Sequence, residues 1–548
     1  MSDFLTILMN RSGQPAGTRL RDSTGHCAIS CNRGPGVFNS LATRRRILRR
    51  LLGLLLLTAS TLQAQFNYTT NAGTITITRY NGAGGDVAIP AAINGLPVTD
   101  IGYEAFEECY ALTGVTIPDS VTNIGVLAFG ACSSLKTVAV PGSVISIGNN
   151  AFDGCHGLIN VTIDAGVTSI GQQAFDSCFS ITNVAIPGSV TNIGTEAFGF
   201  CSALTSVPIP NGVTGIGSNA FLSCSGLTSV TIPESVTNIG FGAWGGCQNL
   251  SAITVDPLNT FFCSLNGVLF DKNQTVLVQC PAGLTGSVAV PGSVTNIETD
   301  AFEFCSGVTN ITMPDSVKTI GDRAFAYCSA LTNVLIPNGV TYIGFESFTG
   351  CTGLSSVKIP NGVTNISAFA FSYCFGVTNV TIPESVVDIG QEAFDECTSL
   401  TSIRIPGSVT NIEELAFGSC GSLTSAYFLG NAPAIIYDAF SSFASDDPVT
   451  VYYLPDTTGW SSFFTTAPVV LWNPLIQTGD GSFGFQNNQF GFNVTGTSNL
   501  VVVVEAAANL AAPVWTPRQT LTLTNGVSYF SEPAKTNVSS RFYRLSPP

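Results

Sequence analysis

Cysteine recurs every 23 residues through most of this chain. Cys109, Cys132, Cys155, Cys178, Cys201, Cys224 and Cys247 keep that step, and Cys305, Cys328, Cys351, Cys374, Cys397 and Cys420 resume it after one longer unit. A fixed period of this length specifies a solenoid, in which each coil packs on its neighbours and all coils share one core. The 548 residues therefore need not divide into the several domains that such a length ordinarily implies.

Residues 109–131 serve as the type coil. Val115 and Ile117 flank Thr116, an alternation that predicts a very short strand with Thr116 facing water. Pro118 ends that strand, because proline has no N–H to donate to a continuing ladder. Val121 and Ile124 turn the chain inward and Gly125 permits a tight corner. Ala128 and Phe129 are then expected to bury in a short helical turn opposite the strand. One coil cannot enclose this much apolar surface. Stacked copies do so, with strands about 4.8 Å apart in a parallel sheet. Stacking also lines up one file of rings: Phe106, Phe129, Phe152, Phe175, Phe198, Phe221 and Trp244, then Phe302, Phe325, Phe348, Phe371, Phe394, Phe417 and Phe440.

The repeat array is expected over 87–440, behind an N-terminal cap at 65–86 and ahead of a C-terminal cap and linker at 441–474. Caps are required because an uncovered end coil leaves apolar surface and strand edge exposed. Within the array, 256–286 breaks the rhythm. Asn266-Gly267 is a strong hairpin signal, so this unit reads as a coil enlarged by a protruding hairpin with the core continuous. The alternative is a boundary between two arrays. Residues 475–548 lose the period and carry turn signals at Asn487-Asn488 and Asn525-Gly526, which predicts a small all-β domain.

Arg44, Arg45, Arg46, Arg49 and Arg50 precede an apolar run at 51–57 and a small residue at Ala64, the layout of a signal peptide over 44–64. The run is too short to span a bilayer, and no later apolar stretch reaches membrane-spanning length, so no transmembrane segment is expected. Residues 1–43 read as a disordered leader or as a mis-assigned start. Residues 65–548 carry 11 basic against 33 acidic side chains. Nucleic acid is thereby excluded as a partner, because backbone phosphates require a basic footprint.

The 23-residue step sets the ladder cysteines on one line, where parallel Cβ vectors suit buried thiols better than disulfides. Cys263 and Cys280 lie off that line and form the possible disulfide. An even line of thiols does not converge on a metal, no nucleotide or calcium motif is present, and no cofactor is expected. His156, the one histidine beyond the leader, reads as an exposed loop residue. Carboxylates around the Ala-Phe segments, among them Glu107, Asp153, Asp176, Glu303 and Asp395, read as a solvated face, and no catalytic residues are assigned. The outward strand positions are mostly small and neutral. Lys358, Arg404 and Tyr427 are the exceptions and form the candidate binding surface, since cationic and aromatic anchors dominate binding energy.

The text running from Cys109 through Val115-Thr116-Ile117-Pro118, Ile124-Gly125 and Ala128-Phe129 recurs through more than a dozen coils. It resembles the treponemal, BspA-like class of bacterial leucine-rich repeats. The enlarged unit, with Asn266-Gly267-Val268-Leu269-Phe270 and Cys280-Pro281-Ala282-Gly283, is similar to a variant unit of that class. The resemblance implies a leucine-rich-repeat solenoid exposed outside a bacterial cell, either secreted or on the outer surface. It also implies adhesion to extracellular proteins, host cells or other microbes. Near the end, Trp515-Thr516-Pro517 and Arg541-Phe542-Tyr543-Arg544 resemble a tail on exported proteins of Verrucomicrobia-like bacteria. The reading is an exported, monomeric, non-enzymatic binding or adhesion protein whose partner is an extracellular protein or polysaccharide. The alternatives are a structural spacer or envelope component, and a carboxylate-dependent carbohydrate-active enzyme.

Overall fold

The computed structural model of the protein describes residues 65–435, 439–440, 449–460, 468–533 and 540–548. The anticipated leader and signal peptide lie outside these residues.

A hairpin opens the described chain. Phe66–Asn71 runs antiparallel to Thr74–Tyr80, and the latter pairs in parallel with Leu96–Ile101. Its aromatic residues finish the ring file: Tyr80 stacks on Phe106 at 5.1 Å, and Phe66 meets the same ring edge-on at 6.1 Å.

Each coil then contributes to three parallel files. The first consists of strands such as Leu112–Thr116, Thr137–Val140 and Asn160–Ile163, in register so that Val115, Val138 and Val161 pair in sequence. The second is a ladder of two-residue strands, in which Ile124, Ile147, Ile170, Ile193, Ile216 and Ile239 follow one another. The third contains Ala128-Phe129 and its equivalents. It is not the short helical turn expected from the sequence. Leu127 and Ala131, two residues either side of Phe129, have positive φ (both 56°), which interrupts any helix. Backbone N–H groups alternate between short turns within the coil, such as Gly130 N–H to Leu127 O at 3.0 Å, and bonds to the next coil: Phe129 N–H donates to Ala151 O at 2.7 Å and Phe152 N–H to Ala174 O at 2.8 Å. A left-handed residue other than glycine costs roughly 1–2 kcal/mol. A satisfied buried amide per coil offsets that cost.

Inside, Phe129, Phe152, Phe175 and Phe198 stack at 5.0–5.3 Å with planes within 4°, and each of these rings is fully buried. Beside them the ladder thiols are reduced, all of them buried except the first, Cys109, which is half-buried. Most of these thiols donate to the carbonyl of a phenylalanine 26 residues earlier: Cys132 Sγ to Phe106 O at 3.1 Å, Cys155 Sγ to Phe129 O at 3.2 Å, Cys351 Sγ to Phe325 O at 3.1 Å. Cys305, just past the enlarged unit, turns to the carbonyls of Cys280 and Pro281 instead. Phe129 O also accepts from Cys132 N–H, so the second lone pair of that carbonyl is used by the next coil. The cysteine is thus a small hydrophobe that also contributes an inter-coil bond.

The enlarged unit forms three antiparallel strands, Phe262–Leu265, Val268–Asp271 and Val276–Gln279. The hairpin does not protrude. Its central residues Val268, Leu269 and Phe270 are buried, and they separate two apolar clusters, one ending with Ile253 and Leu269 and the other beginning at Val268. Both strand files break here, so the core is bridged at this seam and not continuous. Gln279 is the bridge. Its Oε1 accepts from Trp244 N–H at 3.1 Å, while Cys280 N–H donates to Ala301 O at 2.7 Å. A side-chain amide thereby takes the place of the alanine carbonyl used in regular coils. Gln279→Ala is expected to leave a buried N–H without an acceptor and to lower stability by about 1–3 kcal/mol, measured by urea unfolding.

Cys263 and Cys280 are both free thiols. The anticipated disulfide fails because Cys263 pairs with Phe270 and Phe270 with Leu277, so that the strand Val268–Asp271 lies between Cys263 and the strand that ends just before Cys280. Two interstrand steps exceed the Cα separation that a disulfide spans.

Beyond the repeats, Ser425–Phe428, Thr450–Tyr453 and Val469–Leu471 extend the first file by parallel pairing. Trp460 packs over Tyr453 (5.3 Å) and Phe428 (5.1 Å). Two small antiparallel sheets follow, one built on Gln489–Thr495 with Val527–Pro533, the other on Val501–Ala507 with Thr516–Thr522 and Phe542–Ser546. A cluster of Tyr427, Trp472, Phe492, Val502, Leu523 and Phe530 joins them to the last strands of the array.

Candidate binding surfaces

Alternation in the first strand file turns one residue per coil outward. Thr116, Ala139, Thr162, Ala185, Pro208, Thr231 and Thr254, then Ala289, Thr312, Leu335, Lys358, Thr381 and Arg404, are all exposed. This wall is mostly uncharged, with Lys358 and Arg404 the exceptions.

The three anchors singled out from sequence have different fates. Lys358 is exposed, next to Thr381 of the following coil. Arg404 pairs in register with Tyr427 and donates from Nη2 to the carbonyl of Pro547. With Asn379, Thr381, Glu384 and Pro548 it borders a shallow pocket of about 410 Å³. Tyr427 is not outward in solvent. It is 3% exposed, stacks on Tyr452 at 4.8 Å and lies beneath the C-terminal sheets. Burial pushes its phenol up to about 12. The aromatic and cationic signal at the end of the array thus serves mainly to dock the chain's own C-terminal module, which sequence periodicity cannot reveal because the module does not repeat.

The carboxylates on the turn side are not uniformly solvated. Glu303 and Asp395 are buried, contrary to the sequence expectation, as is Asp300. At the seam, Arg323 Nε meets Asp300 Oδ1 at 2.8 Å and Glu303 Oε1 at 3.8 Å. Burial, with Asp300 beside it, raises Glu303 to about 7 against the pull of Arg323. Gly242 and Gly245 of the preceding coil pack against this acid pair, where a Cβ would come within 3.0 Å of Asp300 and 3.3 Å of Glu303. His156 is exposed, stacked on Phe179 at 4.8 Å, with Nδ1 2.9 Å from Ser177 O. Among the described residues no group of three or more His, Cys, Asp or Glu is placed to hold a metal ion, and no helix is long and apolar enough to cross a membrane.

Short parallel strands, a 23-residue coil and a stacked ring file together define a leucine-rich-repeat β-solenoid. The family model for the BspA type leucine rich repeat region matches residues 99–228, 168–265, 282–344 and 318–445, more than half of the chain. The chain belongs to that family. The match ends at residue 445 and lends no support to the Verrucomicrobia-like resemblance of the tail. Among solved structures, the chain is similar to a leucine rich cell surface protein from Faecalibacterium prausnitzii, at 34% identity and a TM-score of 0.55, over 66% of this chain and 93% of that one. It also matches a leucine-rich repeat protein from Eubacterium ventriosum at 26% identity and a TM-score of 0.48, over 65% of this chain and 92% of that one. No curated protein matches the chain.

Proposed function

We propose that the protein is an exported, non-enzymatic binding or adhesion protein of a bacterial surface, with the repeat array as its recognition surface. Leucine-rich-repeat architecture of this type is typical of bacterial adhesion and binding proteins, and the Faecalibacterium relative is described as a cell surface protein. The observation that carries the reading is the outward strand wall, exposed in every coil from Thr116 to Arg404. A long, exposed and mostly uncharged surface suits an extended partner, whereas the titratable groups of the seam are consumed in packing. The test is a binding screen of residues 65–548 against matrix proteins, intact cells and polysaccharides. Saturable binding to one of these is the expected result. Correctly folded protein that binds none of them at high micromolar concentration overturns the proposal.

A further inference from the structure

The turn side of the array carries a second surface that periodicity conceals. The residues just before and just after the ladder cysteines lie on this side, several of them exposed, such as His156, Phe179, Phe200, Ser202, Gln248 and Tyr327. Near the seam they form a trough of about 380 Å³. Phe179 and Phe200, 44% and 42% exposed, stand at one end, and Phe304 stands at the other. Between them the side chains shrink to Ser202, Ser223, Ser225 and Gly246, with Gln248 alongside.

The walls are pre-positioned. His156 stacks behind Phe179 at 4.8 Å and Tyr327 stacks behind Phe304 at 5.0 Å, in each case nearly parallel. Phe179 and Phe304 are thus each held on one side by a stacked ring, and both border the trough. Phe200 is set by its left-handed backbone (φ 56°), and its N–H donates to Leu222 O. The seam completes the far wall, because the coil that starts at Asp300 stacks directly on the turn of Trp244. A Cβ added to Gly246 comes within 3.5 Å of the Phe304 ring.

We infer that this trough, an aromatic-walled slot with a hydroxyl and amide floor, binds a neutral saccharide chain; the inference rests on the binding role proposed above. The walls are three coil steps apart, about 14 Å at ordinary strand spacing, which leaves room for a sugar ring against each aromatic face. Sugar C–H groups suit the electron-rich faces of aromatic rings. Ser202, Ser223, Ser225 and Gln248 supply the donors and acceptors that sugar hydroxyls need. The lining carries no charge, whereas residues 65–548 hold 33 acidic against 11 basic side chains. An uncharged chain is accepted there, and an acidic one is repelled by the surrounding field.

The experiment uses titration calorimetry of residues 65–548 with hexasaccharides of glucose, mannose and xylose, and with a uronic-acid hexamer as the charged control. The variants are Phe200→Ala, Phe304→Ala and Ser225→Trp, the last filling the slot while keeping both walls. Alanine already occupies the left-handed position of Phe200 and Phe304 at Ala131, and an aromatic ring already occupies the position of Ser225 at Phe179, so these variants are expected to fold, and thermal unfolding verifies it. The expected result is binding of at least one neutral hexamer, weaker binding of the uronic hexamer, and at least a tenfold loss of affinity in each variant. Neutral-sugar binding unchanged in all three variants overturns the slot. So does binding only to a protein or cell surface with no neutral-sugar affinity, and that outcome leaves the broader binding role standing. Absence of binding to any of these partners overturns both.

Discussion

Phe152→Ala is expected to lower the unfolding free energy by about 3–5 kcal/mol, the cost of emptying a fully enclosed aromatic site. Phe152 lies between Phe129 and Phe175 at 5.0 and 5.1 Å, with ring planes within 3° of both. Its backbone also joins the inter-coil ladder through Ala174, so neighbouring coils cannot close over the hole without breaking those bonds. Stability in a repeat array is carried by nearest-neighbour interfaces, and this change damages two of them. Phe152→Leu is expected to cost less, because it refills most of the volume. Chemical denaturation of the three proteins reads both values. A loss under about 1 kcal/mol for the alanine variant, far below the core range, contradicts an enclosed file.

The second large effect concerns pH. Glu303 titrates near 7 in the folded chain against an ordinary 4.5. The folded state therefore binds more protons than the unfolded state between those values. The linkage slope is then negative, and stability falls as pH rises. The contribution is fully present below about pH 4.5 and is lost as pH passes 7, amounting to roughly 3 kcal/mol for a shift of this size. Asp176, half-buried and raised to about 6 chiefly by burial, acts in the same direction. Urea unfolding is thus expected to show lower stability at pH 8 than at pH 5. Glu303→Gln is expected to remove most of the difference. An unchanged pH slope in that variant refutes the buried-carboxylate account of the seam.

The period, the alternation around Thr116 and the proline that stops each strand were open to reading because each leaves a residue-type mark. The second strand file left none. A pair such as Asn123-Ile124 is too short to show alternation, and its pairing becomes visible only when coils are stacked. The turn at Phe129 was mistaken for helix because its positive-φ positions are Leu127 and Ala131, where glycine would have signalled the turn. Gln279 is indistinguishable in sequence from any surface glutamine, yet it satisfies a buried amide at the seam. Tyr427 followed the outward phase of its strand as the pattern dictates. What periodicity could not supply is the non-repeating module that covers it.

The central claim is that successive coils lie directly over one another and enclose the thiol file, and counting reactive thiols tests it most directly. Residues 65–548 hold fifteen free cysteines, thirteen of them buried and two, Cys109 and Cys263, half-buried. Burial raises Cys109 to about 11 and both Cys247 and Cys420 to about 12, and thiols held in that form react slowly. With an aromatic disulfide reagent at pH 8, native protein should release at most two equivalents of thiolate, and protein in guanidinium should release all fifteen. Rapid release of most thiols without denaturant, or fewer than fifteen after denaturation, contradicts the enclosed ladder.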